Sequence, residues 1–385
     1  MIKDYIIYSG SLENFIFDII SFLTIFSIIF FLYCREYFNK KWLIIFICYS
    51  STPFFFNEVT INSTSLWDQY TNLSYVLEAR GNFFSLDPFL NFMNVTHGYR
   101  KLLNTGTVYG MFPIFMSSIN SIAFANKFIV CMTAIYLIHK NYASKLSVFF
   151  LLLFPSTIIY SSLSLKAILI GFSSIWILIF VYEKKYIFLF ILTLFVFYLR
   201  PQFYGLIFIF LIYYMVSIKI YKIKYLTLCL NIFILFLLFT FREKIFKEIN
   251  YLILIYNLED TNWTVQNLVE LNQFSFRLDD IIQNLKIIFS KLILNWPVQL
   301  KYKIIFIVEN LMISLLIIFN FSYNLKKDKI KTLSILFFLL TVIFLFYSIF
   351  PNLLPLHRYM YPFLVFFIIF YQFNFRNKKI YYEIK

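Results

Sequence analysis

Glycine is scarce in this chain, with only seven residues among 385. Loops that cradle nucleotide phosphates need glycine for tight turns and for close approach of the backbone to the phosphates. The sequence contains neither a P-loop nor a dinucleotide-binding fingerprint, and no cytoplasmic segment is long enough to hold a nucleotide sugar or ATP. Any substrate must therefore arrive already activated, or the energy must come from a gradient.

Cysteine is also scarce, and the four cysteines follow no metal-binding pattern. Cys34, Cys48, Cys131 and Cys229 lie in or beside apolar runs. Their spacing fits neither a zinc site nor a disulfide framework. We therefore expect neither a metal site nor a cofactor.

Hydrophobic residues dominate the rest of the chain, at 61% of all residues, and 23% of residues are aromatic. Repeated solid apolar runs are long enough to cross a hydrocarbon core about 30 Å thick as helices. A membrane β-barrel would instead show alternating polarity. The sequence predicts an all-α fold, a polytopic helical bundle in a membrane.

The apolar runs predict about eleven transmembrane helices. We place them at residues 15–34, 42–57, 118–138, 146–162, 167–182, 186–199, 203–218, 225–241, 304–323, 332–350 and 361–374. No internal repeat or linker divides the chain, so we expect a single transmembrane domain over residues 1–385.

The formal net charge of +15 is concentrated in short clusters between apolar runs. Every second connection is short and basic, for example "REYFNKK", "HKNYASK" and "EKK". Such clusters are typical of cytoplasmic loops rather than of a nucleic-acid-binding surface. The pattern places the N-terminus outside and the C-terminus inside. It also makes residues 58–117 and 242–303 large extracytoplasmic loops, so we expect the working surface on that side.

Three short outer connections each carry a basic residue, against the trend that orients the protein. These residues are Lys166, Arg200 and Arg358. Lipid headgroup phosphate could bind each of them, but three together favour a shared anion site. Ammonium and guanidinium groups that converge on one cavity suit a pyrophosphate or a phosphate ester.

Other charged residues are candidates for the same site. Lys127 and Glu309 fall inside predicted spans, where a charge should face the bundle interior or water unless the span boundary is misplaced. Arg277 lies in the second large loop, where Asp279 or Asp280 could neutralise it.

A general base could come from Asp68 in "LWDQY" or from His357 beside Arg358. Acids in these loops also cap helices or lie in solvent, and a lone histidine is often structural. The sequence leaves these alternatives open.

The whole-chain layout resembles the Wzy-type polymerases of bacterial O-antigen and other surface polysaccharides. Two segments, "FPSTIIYSSLSLKAILIGF" and "HRYMYP", also look like parts of GT-C-type glycosyltransferases that use lipid-linked sugars. In that superfamily an acid in the first outer loop is the base, and Asp68 is the matching position. The additional helix before that loop departs from the GT-C pattern.

The polymerase resemblance implies a multi-pass enzyme of the bacterial inner membrane. It would join oligosaccharide repeat units linked to undecaprenyl pyrophosphate at the periplasmic face, without a metal. Arg200 and Arg358 would stabilise the leaving pyrophosphate, and His357 or Asp68 would take the acceptor proton. Lys166, Arg277 and Lys127 would bind substrate. Membrane lipids, a chain-length regulator and a flippase are the implied partners.

Two other functions fit the same layout. One is a GT-C-type transferase with a polyprenyl-phosphate sugar donor, and the other is a flippase for lipid-linked oligosaccharides. Transporters commonly show inverted repeats and broken helix pairs, and the sequence shows neither.

Overall fold

The computed structural model describes residues 12–56, 118–164 and 166–199, together with separate shorter stretches. These are residues 69, 72, 73, 76, 77, 107–110, 112, 228, 229, 232, 233, 236, 240, 322, 325, 326, 329, 330, 332–334, 337, 361, 365 and 369. Within this part of the chain 85% of residues are helical and none lies in a strand, which confirms the predicted all-α class.

Helices follow one another closely along the first half of the chain. They are α1 (Leu12–Cys34), α2 (Lys40–Ser50), a 3₁₀ turn (Thr52–Phe54), α3 (Thr107–Gly110), α4 (Ile119–His139), α5 (Lys145–Leu153), α6 (Pro155–Ser162), α7 (Ala167–Tyr182) and α8 (Tyr186–Leu199).

Four of the predicted spans coincide with α1, α4, α7 and α8. Among the described residues, Phe15–Cys34 and Ile119–His139 are long and apolar enough to cross a membrane. The shorter α7 is equally apolar. The described part is therefore compatible with a helical membrane protein, and the total of eleven spans stays a prediction because most residues after 199 lie outside the described part.

The predicted span 42–57 ends earlier than expected. Its α-helix stops at Ser50. There the hydroxyls of Ser50, Ser51 and Thr52 each donate a hydrogen bond to the carbonyl three residues back, and these bonds compete with the helical backbone bonds. Pro53 follows and cannot donate a backbone hydrogen bond. The chain continues only as the short 3₁₀ turn.

The predicted span 146–162 is not one straight helix, which is a second correction. α5 and α6 meet at an angle of 57°. Pro155 begins α6, and Phe154 before it is extended, with ψ of 126°. A residue that precedes proline is sterically disfavoured in the helical region, so the break follows from the sequence. The pair makes a third span if the bent helices cross together. The expectation that the chain has no broken helix pair is therefore wrong.

Helix α4 is the centre of the described bundle and packs against α1, α2, α5, α6 and α7. Its alanines at 123, 125 and 134 are fully buried and allow close helix approach. By contrast, α8 exposes large apolar side chains between Tyr186 and Leu194, with Ile187 75% and Phe190 64% exposed. Such surfaces suit contact with lipid.

Three helix ends share one capping motif. Glu36, Asn141 and Lys184 all have positive φ, of 62°, 55° and 58°. In each turn the next residue donates its backbone N–H to the carbonyl five residues back, as Tyr37 does to Leu32. This is the Schellman motif, which usually places glycine at the left-handed position. The glycine-poor chain forms it three times without glycine.

The chain divides into two compact units. The first comprises residues 1–204, 297–306 and 360–385, and the second comprises residues 205–296 and 307–359. All the helices named above belong to the first unit. In the second, the described residues are separate helical positions, among them the buried Thr332 and Ser334.

Candidate functional site

The three Schellman turns lie at one end of the first unit, which we call the basic end (residues 35–39, 140–144 and 183–185). The rings of Tyr37 and His139 stack with centroids 4.2 Å apart, which joins the first two turns. The Glu183 carboxylate accepts hydrogen bonds from Tyr142, at 2.8 Å, and from Tyr136. These contacts group the turns on one side, as expected if all three are cytoplasmic.

Glu183 is the centre of the charge network at the basic end. Burial alone raises its pKa, but hydrogen bonds from Lys185, Tyr136 and Tyr142 together hold the pKa of this carboxyl below its usual range. Burial and the adjacent carboxylate raise the pKa of the Tyr142 phenol. Glu183 therefore stays ionised while Tyr142 stays a neutral donor.

The opposite end of the unit, which we call the polar end, gathers buried and half-buried polar side chains where α1 and α4 begin and α6 ends. Its members are Asp18, Gln69, Asn72, Ser118, Asn120, Ser162 and Ser164. Basic clusters are found at the other end, so the positive-inside rule makes the polar end the outer one. The working surface expected on the outer side stays a prediction.

Side-chain amides hold the short connection between α6 and α7 at the polar end. Asn126 donates to the carbonyl of Leu163 at 3.0 Å, and Asn72 donates to the carbonyl of Ser164 at 2.8 Å. Gln69 accepts from the backbone N–H of Ser164 at 3.1 Å. The connection is thereby fixed by residues far away in sequence.

Two further residues lie beside these amide contacts. Tyr109 donates its hydroxyl to Asn126 at 2.7 Å, and burial raises the pKa of the phenol. Lys166, one of the three predicted outer cations, is half-buried and immediately precedes α7. The amide hydrogen bonds to Leu163 and Ser164 therefore position the connection that leads to Lys166.

Lys127 is fully buried in α4, as the sequence predicted for a charge that faces the bundle interior. Its ammonium donates to Ser161 Oγ at 2.6 Å and to the Ile158 carbonyl at 3.1 Å. It also lies 4.1 Å from the centre of the Tyr49 ring, a favourable cation–π contact. Among the residues that the structure describes, no carboxylate pairs with it.

The Ser161 hydroxyl that contacts Lys127 belongs to a larger group of hydroxyls. Ser161 Oγ and Tyr49 Oη lie 2.8 Å apart. Tyr361 donates to Thr157 Oγ1 at 2.9 Å, one turn before Ser161 on α6. We call Tyr49, Lys127, Thr157, Ser161 and Tyr361 the Lys127 cluster. It lies about 12 Å from the start of a helix about 31 Å long, in the half nearer the polar end.

Asp18 is a buried acid that sequence reasoning did not single out. It is 3% exposed, and its carboxylate accepts from Ser118 Oγ at 2.7 Å and from Asn120 Nδ2 at 3.0 Å. The signal was present in the sequence, because Asp18 falls inside the predicted span 15–34, just as Lys127 falls inside 118–138.

The structure brings two predicted site residues to one region. Asn126, beside Lys127, bonds to the same connection that leads to Lys166. The other predicted site residues, which are Asp68, Arg200, Arg277, His357 and Arg358, lie outside the described residues, as does Glu309. In the described part no group of three histidine, cysteine or acidic residues is arranged to hold a metal ion.

Comparisons with protein-family models, with curated proteins and with solved structures give no match for this chain.

Proposed function

We propose that the chain is a glycosyltransferase of the bacterial inner membrane that polymerises polysaccharide repeat units linked to undecaprenyl pyrophosphate. The observation that carries the proposal is Lys127, a fully buried amino group whose described partners are all uncharged. A charge in the membrane interior is costly, by about 2.5–3.5 kcal/mol or more. An anion bound at the Lys127 cluster would offset that cost.

Pyrophosphate is the anion that the proposed reaction supplies. The glycosyl carbon–oxygen bond to undecaprenyl pyrophosphate breaks, and a new bond forms to a hydroxyl of the incoming repeat unit. The acceptor proton passes to a base, for which Asp68 and His357 are candidates. A phosphate oxygen that displaced Ser161 from the Lys127 ammonium would receive a stronger, charge-assisted hydrogen bond. Lys166, Arg200 and Arg358 would add positive charge for the leaving group.

A second candidate is a GT-C-type transferase that uses a polyprenyl-monophosphate sugar. The observation that favours it is a pair of hydrogen bonds. They link "WDQY" and "HRYMYP" to the third segment that carries the GT-C resemblance. Gln69, next to Asp68, bonds to Ser164, and Tyr361 of "HRYMYP" bonds to Thr157. Both Ser164 and Thr157 belong to "FPSTIIYSSLSLKAILIGF".

The two candidates differ in the donor, so purified protein in nanodiscs should be given each lipid-linked donor separately. The polymerase predicts a ladder of glycan lengths from the pyrophosphate-linked repeat unit alone. A single added sugar that requires the monophosphate donor would support the second candidate instead. Transbilayer movement of the lipid without a new bond would support a flippase and contradict both.

Arg358 provides a test of the leaving-group role within the same assay. Arg358→Ala should abolish the ladder, and Arg358→Lys should retain little of it, because lysine cannot form the two parallel hydrogen bonds of a guanidinium. A stably inserted Arg358→Ala protein with a normal ladder would remove Arg358 from the mechanism.

A further inference from the structure

Asp18 places a carboxylate in the buried part of a candidate membrane span. Both groups that donate to it, the Ser118 hydroxyl and the Asn120 amide, are neutral. No ion pair involves Asp18 within the described residues, and Lys127 is engaged at the Lys127 cluster. Each carboxylate oxygen accepts one hydrogen bond there, which leaves lone pairs on both oxygens.

Ser21 lies three residues further along the same helix and is also buried. The buried positions of α1 are Asp18, Ser21, Ile25 and Ile29, a single stripe at helical spacing. The residues between them are half-buried or exposed. Asp18 and Ser21 therefore lie next to each other on the only face of α1 that is buried in the described part.

The Ser21 hydroxyl is fully buried and has no hydrogen-bond partner among the described residues. The other hydroxyls on α1 behave differently, because Thr24 donates to the Ile20 carbonyl and Ser27 donates to the Leu23 carbonyl. Ser21 does not make the equivalent bond to its own helix. An orphaned buried hydroxyl is unusual and indicates a missing partner.

We propose that Asp18 and Ser21 bind a sodium ion at the polar end. The site would combine one carboxylate charge with hydroxyl oxygen, which are ligands that hard cations prefer. A monovalent ion balances the single carboxylate, whereas Ca²⁺ or Mg²⁺ would leave an uncompensated positive charge within the bundle. Ser118 and Asn120 orient the carboxylate from outside the ligand set. This inference does not depend on the proposed function.

Binding of ²²Na⁺ to the purified full-length chain tests the site, with choline chloride holding ionic strength constant. Wild type should bind one Na⁺ per chain saturably. Ser21→Ala should weaken binding about tenfold, while Ser27→Ala, which removes a satisfied hydroxyl from the same helix, should bind like wild type. Asp18→Asn should abolish binding.

Melting temperature provides a second readout, because an ion that binds only the folded state stabilises it. NaCl should raise the melting temperature of wild type and of Ser27→Ala above the values in choline chloride, with no such shift for Asp18→Asn. The absence of saturable Na⁺ binding by wild type would overturn the proposal, as would equal affinities of Ser21→Ala and Ser27→Ala. A stabilisation that follows pH and is indifferent to Na⁺ would identify a proton site and overturn it equally.

Discussion

Buried polar residues in the described part are satisfied mainly by neutral partners. Lys127 bonds to a hydroxyl and a carbonyl, and Asp18 bonds to a hydroxyl and an amide. Ser21 Oγ and Gln69 Nε2 are the buried side-chain atoms of this part that have no partner. Exposed ion pairs contribute little to stability, whereas buried charges demand a partner. Within the described residues, Asp18 and Lys127 therefore have no charged partner.

Glu36 tests the energetic consequence of forming Schellman turns without glycine. A residue with a Cβ in the left-handed region is disfavoured by about 1–2 kcal/mol, so Glu36→Gly should raise the free energy of unfolding by about 1 kcal/mol. Thermal unfolding in detergent measures the change. Glu36→Ala keeps the Cβ and should give no comparable gain; an equal gain from alanine would show that backbone strain is not the cause.

Glu183 predicts a specific dependence of stability on pH. Its pKa is lower in the folded state than in the unfolded chain, so its contribution is complete above the unfolded value of about 4.3. The contribution is lost as pH falls through the folded pKa. Glu183→Gln should remove about 1–2 kcal/mol near pH 7 and flatten the acid side of the stability curve.

Stability curves from pH 7 down to the acid limit check this prediction. Glu36→Gln changes an acid at the corresponding turn after α1, where the tyrosine partners of Glu183 are lacking, and serves as the control. A Glu183→Gln curve that runs parallel to that of wild type would rule out the proposed linkage.

The helices themselves follow from the sequence to a large extent. Solid apolar runs gave α1, α4, α7 and α8 nearly to their ends, because hydrophobic length is a strong signal in a membrane. Local chemistry modified two others. Pro155 bends the predicted span 146–162, and hydroxyls with Pro53 end the helix of span 42–57. The length of an apolar run does not predict these breaks, although the residues that cause them are present in the sequence.

The hydrogen bond between Tyr361 and Thr157 connects two segments that are far apart in the chain, and its contribution to stability can be measured. It joins the segment after "HR" to α6 through a buried hydrogen bond of 2.9 Å. Tyr361→Phe and Thr157→Val should each destabilise the protein by about 1 kcal/mol, and the double variant should lose less than their sum.

A double-mutant cycle with chemical or thermal unfolding measures this coupling. Thr133→Val serves as the control, because it removes a different hydrogen bond, the one that Trp176 donates to Thr133. It should combine additively with Tyr361→Phe. Strict additivity of Tyr361→Phe with Thr157→Val would mean that the bond does not form.

At the scale of the first unit, one end carries the basic turns and the other carries the buried polar residues. The sequence predicted from charge parity that the basic connections share one side, and it predicted Lys127 as an inward-facing residue. It did not predict which residues meet. The Gln69–Ser164, Asn126–Leu163 and Tyr361–Thr157 bonds join residues far apart in the chain, and no local pattern encodes such pairs. Asp18 was overlooked because a lone acid near a span end resembles a boundary residue.

The proposed function depends most directly on Lys127, and Lys127→Met is the sharpest test. Methionine removes a buried charge and keeps an apolar chain of similar length, while Ser161 retains its bonds to Tyr49 and Thr157. If the ammonium serves only structure, its loss should lower stability. If it binds the leaving group, stability should hold or rise while transfer fails.

The deciding measurement compares Lys127→Met with Lys140→Met, which replaces an exposed lysine just after the same helix. Both are assayed for melting temperature and for glycan extension from the undecaprenyl-pyrophosphate-linked repeat unit. We predict that Lys127→Met keeps the wild-type melting temperature and loses extension by about 100-fold, while Lys140→Met retains both. A Lys127→Met protein that extends glycans at the wild-type rate, or that loses activity only because it unfolds, would contradict the account.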